Sequence, residues 1–165
     1  MLSRELVVQA LKNNQMSKIF IQTDLQHISI NQVVSGFDIN LFKALTPPLV
    51  GLKVDRFDGC KVGDEVHLRV GFLYPIQKWV SLITYSNQTN DTFDFVDEGR
   101  VLPFPLKYWR HHHIVGKNKK GIFIVDSIEY KTYFKPLDLL LYPLFFMQFY
   151  YRKGAYRKYF ARQNS

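Results

Sequence analysis

Regular alternation of apolar and polar residues runs through the middle of the chain, and it constrains the fold more than any other feature. In the segment 64–73, Val66, Leu68 and Val70 alternate with Glu65, His67 and Arg69. A period of two predicts a β-strand with one buried face and one solvent-facing face. Similar segments lie at 18–25, 49–57, 78–86, 92–98, 108–115 and 121–130. Residues typical of turns separate the later segments, so the sequence predicts an antiparallel sheet of six to seven strands.

Three further segments have the spacing of helices. Residues 29–45 predict two short helices with Ser29 and Asp38 as N-caps, ending at the Pro47-Pro48 pair. A long C-terminal helix is predicted over 136–162, where leucines and phenylalanines recur at intervals of three and four residues. The fold class is therefore α+β. Because a curved sheet wrapped around one helix is often too wide for side chains to fill, we expect a cavity between them.

The length and composition favour one domain. A chain of 165 residues with 47% hydrophobic residues can bury one core. We expect residues 17–165 to form a single domain and residues 1–16 an N-terminal arm. The single cysteine, Cys60, and the absence of an apolar leader favour a cytoplasmic protein. The longest apolar run, which begins at Leu139, is too short to span a membrane.

The order of these elements, β-α-α-β-β-β-β-β-β-α, resembles the helix-grip fold of the START and birch-pollen-allergen superfamily (SRPBCC), which includes polyketide cyclases and dehydrases. Four stretches are similar to small bacterial ligand-binding members: LFKALTPP (41–48), RFDGCKVGDEVHL (56–68), FVDEGRVLPFPLKYWRHHHI (95–114) and YRKGAYRKYF (151–160). The resemblance covers residues 17–162. It implies that a hydrophobic or amphipathic small molecule is held between the sheet and the long helix. Since this fold serves transfer, sensing and catalysis, the resemblance leaves the activity open.

Three consecutive histidines, residues 111–113, lie in the predicted strand 108–115. Strand alternation places Trp109, His111 and His113 on one face and His112 on the other. Carboxylates are expected nearby. Asp97 shares a face with two phenylalanines in strand 92–98, and if the last hairpin pairs residues whose numbers sum to 237, Asp126 lies opposite His111.

Three interpretations of this pattern remain open. The imidazoles are a hydrogen-bonded polar patch in a ligand pocket, a general acid–base group next to a carboxylate, or part of a metal site. A metal would need a third ligand beside His111 and His113. Because the sequence has no cysteine pair and no H-E-x-x-H motif, we expect no metal and no other cofactor.

The predicted ligand contacts are the aromatic and polar residues of the inner sheet face. They are Trp79, Tyr85, Phe93, Phe95, Asp97, Trp109, His111, His113 and Asp126. If the protein is instead a cyclase- or lyase-type enzyme, the catalytic residues are expected among His111, His113, Asp97 and Asp126.

Positive charge is concentrated in the last third of the chain. The net charge is +8, and residues 107–165 contain 12 Lys and Arg against 3 Asp and Glu. We expect the segment 149–163 to be a solvated helix end with weak contact to anionic membrane surfaces at most. Nucleic acid is not expected as a partner.

Overall fold

A computed structural model describes residues 16–47, 51–71 and 76–163, and in it seven strands form one antiparallel sheet. The strands are β1 (Ser17–Leu25), β2 (Gly51–Phe57), β3 (Glu65–Gly71), β4 (Gln77–Gln88), β5 (Thr92–Val101), β6 (Leu106–Asn118) and β7 (Gly121–Thr132). The helices are α1 (Ile30–Ser35), α2 (Ile39–Ala44) and α3 (Lys135–Gln163). The sheet order is β1-β7-β6-β5-β4-β3-β2. The predicted α+β helix-grip architecture is therefore confirmed.

Several predicted segments fall partly outside these ranges. Residues 1–15 of the expected arm, the start of the strand at 49–57 and the end of the strand at 64–73 lie outside the described residues. The central strands are longer than the predicted segments 78–86 and 108–115. β4 contains 12 residues and β6 contains 13. Within the described residues, the helices lack the combined length and apolarity needed to cross a bilayer.

Both predicted N-caps are confirmed. The Ser29 hydroxyl accepts a hydrogen bond from the Gln32 amide at 3.2 Å, and the Gln32 side chain accepts one from the Ser29 amide at 2.9 Å. This reciprocal pair is a capping box for α1. Asp38 caps α2 by accepting from the amides of Asn40 and Leu41, each at 2.9 Å. These bonds satisfy amides that have no partner within the helix.

The cap of α2 also joins this helix to α3. The Tyr159 hydroxyl on α3 donates to the Asp38 carboxylate at 3.2 Å. Close to this contact, a Cβ added to Gly36 would lie 2.6 Å from the ring of Phe160. The absence of a side chain at Gly36 therefore lets the short helices lie directly against the end of α3.

The apolar core is divided into two clusters along the same strands. One contains Val115 of β6 and Ile124 of β7, together with the C-terminal end of α3. The other contains Trp109 of β6 and Ile128 of β7, together with Phe149 of α3. Alternate residues of one strand face the same side, so residues 111 and 113 of β6 and 126 of β7 lie between the two clusters. The histidine and aspartate positions therefore cross the middle of the inner sheet face.

Replacing Asp38 by alanine should lower the free energy of unfolding by about 1 kcal/mol, because two helix amides lose their acceptor. Although burial opposes it, hydrogen bonds from Leu41, Asn40 and Tyr159 hold the pKa of Asp38 below its usual 3.8. The ionised cap therefore contributes stability above its usual pKa, and this contribution is lost as the pH falls through the lower folded-state value. Urea unfolding at several pH values measures the difference between the two proteins.

Ser29→Ala is the matched control, because it removes an uncharged cap. Its effect on the free energy of unfolding should not follow the titration of a carboxyl group. Equal stability of Asp38→Ala and the unmodified protein at neutral pH would contradict the assignment of this cap.

Candidate functional site

A cavity of about 350 Å³ lies between the inner face of the sheet and α3. Most of its wall is apolar and comes from α2, β3, β4 and α3, including Leu41, Leu45, Val66, Leu68, Ile83, Leu141, Leu144 and Phe145. The polar side chains at the wall include Ser81, Asp97, His111, His113, Gln148 and Arg152. An apolar cavity with a few convergent polar groups is typical of small-molecule sites.

Two imidazoles and two carboxylates form a polar cluster at this wall. His111, His113 and Asp97 line the cavity, whereas Asp126, which was also predicted as a ligand contact, is not part of its lining. His111 Nε2 lies 2.9 Å from Asp126 Oδ1, and His113 Nε2 lies 3.2 Å from Asp97 Oδ2. The two imidazole centroids are 3.6 Å apart, with the rings inclined by 35°. His111 is 3% exposed and Asp126 only 1%. Buried charges of this kind need close hydrogen-bonding partners, and each carboxylate has one here.

The register of the β6–β7 hairpin differs from the predicted one. His111 pairs with Ile128 and His113 with Asp126, so paired residue numbers sum to 239 and not 237. A shift of two residues leaves every side chain on its predicted face, whereas a shift of one would invert them. His111 therefore reaches Asp126 diagonally across the hairpin.

The long helix contributes two groups to this cluster that the sequence analysis missed. Arg152 Nη1 lies 3.6 Å from Asp126 Oδ1, and the Tyr156 hydroxyl donates to the same oxygen at 3.4 Å. The Arg152 guanidinium also lies 4.3 Å from the centroid of the Phe149 ring. The expectation that Arg152 is part of a solvated helix end is wrong. The spacing in the sequence could have indicated its burial. Arg152 follows Phe149 by three residues and precedes Tyr156 by four, so the three side chains lie on one helix face.

Burial and mutual contact set the charge states of the wall. Burial, together with the neighbouring His113, lowers the pKa of His111 to about 4, so this imidazole is neutral at neutral pH. Burial alone would raise the pKa of Asp126, but the hydrogen bond from His111 and the charge of Arg152 hold it at about 2. Burial likewise opposes ionisation of Asp97, yet hydrogen bonds from His113 and Ser81 keep its pKa below the usual value. Both carboxylates are therefore ionised inside the protein.

The predicted aromatic contacts are only partly brought together. Trp79 and Trp109 both line the cavity in an edge-to-face pair with centroids 4.8 Å apart, and Trp79 Nε1 donates to Ser81 Oγ at 3.0 Å. Phe95 also lines the cavity and stacks on His113 at 4.3 Å. Phe93 is buried in the cluster beside α1 and α2, 5.9 Å from the ring of Phe37, and is not part of the cavity wall.

Tyr85 was predicted to lie on the inner face of the sheet, and this prediction is wrong. It is 45% exposed, and its ring is 6.4 Å from that of His112 on the outer face. The reason is a register shift in β4: Ile83 pairs with Asp97, but Tyr85 pairs with Val96. One extra residue, Thr84, inverts the alternation beyond Ile83.

His112 faces outward, as strand alternation predicted. It forms a histidine–aspartate contact like that of His111, but on the more solvent-exposed outer face of the sheet. Its Nε2 lies 2.9 Å from Asp94 Oδ2, and both side chains are partly exposed. Two aspartate–histidine contacts of equal length, His112–Asp94 and His111–Asp126, therefore differ mainly in burial.

This pair of contacts gives a direct comparison of stability. Asp126→Ala should lower the free energy of unfolding by about 3 kcal/mol, because it leaves Arg152 and His111 buried without their acceptor. Asp94→Ala should lower the free energy of unfolding by less than about 1 kcal/mol, since water can replace the carboxylate. Urea unfolding measures both. Similar losses for the two variants would contradict the assignment of Asp126 as the buried acceptor.

Comparison with known proteins gives similarity in fold. No protein-family model matches the chain. No curated protein matches its sequence either. Among solved structures, the Zhui aromatase/cyclase from Streptomyces sp. R1128 superposes with a TM-score of 0.66 and 10% identity, covering 92% of this chain and 96% of that one.

Two plant proteins are also similar. A point mutant of norcoclaurine synthase from Thalictrum flavum, crystallised with a transition-state analogue, gives a TM-score of 0.62 at 14% identity, covering 93% of this chain and 100% of that one. The major latex-like protein 151 from Panax ginseng gives 0.53 at 14% identity, covering 84% and 99%. The present chain therefore has the same fold as these three proteins.

Proposed function

We propose that the protein binds a hydrophobic or amphipathic small molecule in the cavity between the sheet and α3. The observation that carries this proposal is the interior space itself, about 350 Å³ bounded by apolar side chains on most sides and by buried polar groups on one. Burial of an apolar guest there removes hydrocarbon surface from water, which is the main favourable contribution to binding in such sites. The resemblance of the sequence to ligand-binding members of the START and birch-pollen-allergen superfamily supports the same view.

The polar wall would contact the polar end of the guest. Among the residues that the structure describes, His113 Nδ1 and Arg152 Nε are buried and have no hydrogen-bond partner. A buried donor without an acceptor is costly, so a guest that offers a hydroxyl or carbonyl oxygen to Arg152 would recover this free energy. Trp79, Phe95 and Trp109 would then contact the apolar part of the guest near this wall.

Filling the cavity should weaken binding without altering the outer surface. We expect Leu144→Trp to weaken the binding of the fluorescent probe 1-anilinonaphthalene-8-sulfonate about tenfold or more, because the indole occupies apolar space that the probe needs. Tyr85→Trp, on the outer face, is the control and should leave affinity unchanged. Fluorescence titration measures affinity, and circular dichroism confirms folding. Equal affinity in the two folded variants would rule out the cavity as the site.

The single cysteine gives a second measure of occupancy. Cys60 lines the cavity, and burial raises the pKa of its thiol to about 12. Alkylation by iodoacetamide should therefore be slow in the folded protein and slower still with the probe bound. An alkylation rate that the probe does not change would argue against a shared cavity.

The alternative function is that of a cyclase- or lyase-type enzyme. Similarity in fold to an aromatase/cyclase and the two close imidazole–carboxylate pairs favour it. One imidazole would remove a proton from a carbon beside a carbonyl, and the protonated ring would return it to a departing hydroxyl, which leaves as water. His111 is a weak base, with a pKa of about 4, so we assign the role of base to His113, which lies 3.2 Å from Asp97.

Mass spectrometry separates the two functions. A binding protein should release its copurified guest unchanged after incubation, whereas a dehydrating enzyme should convert it to a product lighter by one water. His113→Gln should abolish that conversion while the protein stays folded. An unchanged guest mass in the active preparation would exclude the enzymatic alternative for that guest.

Weak contact with anionic membranes remains a separate proposal for the end of α3. The aromatic residues of 149–163 are divided, because Phe149, Tyr156 and Phe160 are buried in the core. The exposed groups that remain include Tyr150, Tyr151, Lys158 and Arg162. Tyrosine and basic side chains together favour the surface of an anionic bilayer.

Sedimentation with phosphatidylglycerol vesicles tests this contact. Lys158→Glu with Arg162→Glu should reduce binding, and added salt should do the same. Lys78→Glu with Lys120→Glu changes the net charge equally at other exposed sites and is the control. An equal reduction in both double variants would mean that only net charge matters.

A further inference from the structure

We propose that Asp97, His111 and His113 bind one divalent transition-metal ion, with Asp126 as the acceptor behind both imidazoles. This site is independent of the guest proposed above, because its ligands converge on one another at the cavity wall. The sequence predicts no metal, because it has no cysteine pair and no H-E-x-x-H motif, and it leaves the third ligand beside His111 and His113 open. The β5–β6 register supplies it, because Asp97 pairs with His111.

The near nitrogens of both imidazoles converge on one carboxylate oxygen. Asp97 Oδ2 lies 3.5 Å from His111 Nδ1 and 3.2 Å from His113 Nε2. One ligand atom from each of the three residues lies within 4.8 Å of the others. An ion about 2.1 Å from each ligand at tetrahedral or octahedral angles separates the ligands by roughly 3.0–3.4 Å. The two nitrogen–oxygen distances are therefore close to what a shared ion requires.

The far nitrogens of the same imidazoles face the other carboxylate. Asp126 Oδ1 lies 2.9 Å from His111 Nε2 and 3.5 Å from His113 Nδ1. Histidines that bind a metal commonly donate their other N–H to a carboxylate, which fixes the tautomer and the ring orientation. Arg152 and Tyr156 hold Asp126 in place from α3. The supporting hydrogen bond is therefore already present behind His111, whereas His113 Nδ1 lies near the same carboxylate without a hydrogen bond.

Counting protons shows why a cation fits between these groups. A neutral imidazole has one N–H and one lone pair, so two rings supply two protons for four nitrogen–carboxylate contacts. In the other two contacts, a nitrogen lone pair must then face a carboxylate oxygen, and no proton lies between the two atoms. Protonating both rings instead would place two positive charges 3.6 Å apart. An ion beside Asp97 accepts both lone pairs and directs both N–H groups towards Asp126.

The ligand set selects the class of metal. Two imidazole nitrogens and one carboxylate oxygen suit zinc, cobalt, iron or nickel better than calcium or magnesium, which prefer oxygen ligands. With neutral imidazoles, Asp97, Asp126 and Arg152 leave the cluster with one net negative charge, which also favours a cation. Because the three residues line the cavity, a remaining coordination position would face the guest.

Cobalt titration of the full chain tests the proposal. After removal of metals by a chelator, Co²⁺ should bind with one equivalent and give visible ligand-field absorption, and Zn²⁺ should displace it. Asp97→Asn and His113→Gln should each weaken binding about tenfold or more, and Asp126→Asn should weaken it about 10- to 100-fold. His112→Ala is the matched control, since its ring faces outward towards Asp94, and should bind as the unmodified protein does.

Circular dichroism identifies variants that fail to fold, and a second measurement uses the unmodified protein alone. Bound Co²⁺ should shift the exchangeable imidazole proton resonances of two histidines in the NMR spectrum. No stoichiometric binding of Co²⁺ or Zn²⁺, unchanged binding in folded Asp97→Asn, or loss in His112→Ala would each overturn the site. Probe fluorescence is recorded on the same samples, so retained probe binding without metal binding overturns this inference and leaves the cavity function intact.

Discussion

Asp126 joins the sheet and the long helix by polar contacts in the middle of the inner sheet face. Its carboxylate lies on β7, accepts from His111 on β6 and from Tyr156 on α3, and lies near the Arg152 guanidinium. These contacts cross the interior at the level where the apolar core is interrupted. A charge at this depth is tolerable only because two other elements, β6 and α3, both supply partners for it. The placement of α3 over the sheet and the shape of the cavity wall therefore depend on the same carboxylate.

The divided core explains how the fold keeps space inside. One apolar cluster joins the short helices to the end of α3, and the other joins Trp109 and Ile128 to its middle. Each cluster is closely packed, so the helix is held on either side of the polar band. The cavity can then remain next to that band without loss of the whole interface. This arrangement makes a hydrophobic guest with one polar end the natural occupant.

The same geometry supports chemistry beyond simple retention. Imidazoles paired with carboxylates in an apolar space can move a proton, and imidazoles that converge on a carboxylate can hold a metal ion. The similar solved structures include an aromatase/cyclase and a norcoclaurine synthase as well as a latex-like protein. Similarity in fold alone cannot choose among these roles, because function depends on the site that each chain builds on the fold. The two inward histidines, and not the architecture, decide the question here.

The sequence by itself determined the strands, the two helix caps and the faces on which the histidines lie. These features are local: alternation follows from the two-residue period of a strand, and the caps at Ser29 and Asp38 use bonds within three residues. Only the tertiary structure decided the hairpin register, the inversion at Thr84 that turns Tyr85 outward, and the burial of Arg152. Register and bulges depend on which residues of distant strands meet, and an arginine on a helix is buried only when a carboxylate from another element lies opposite it. The fold was therefore predictable from local periodicity, whereas the composition of the polar wall depended on contacts between residues far apart in the chain.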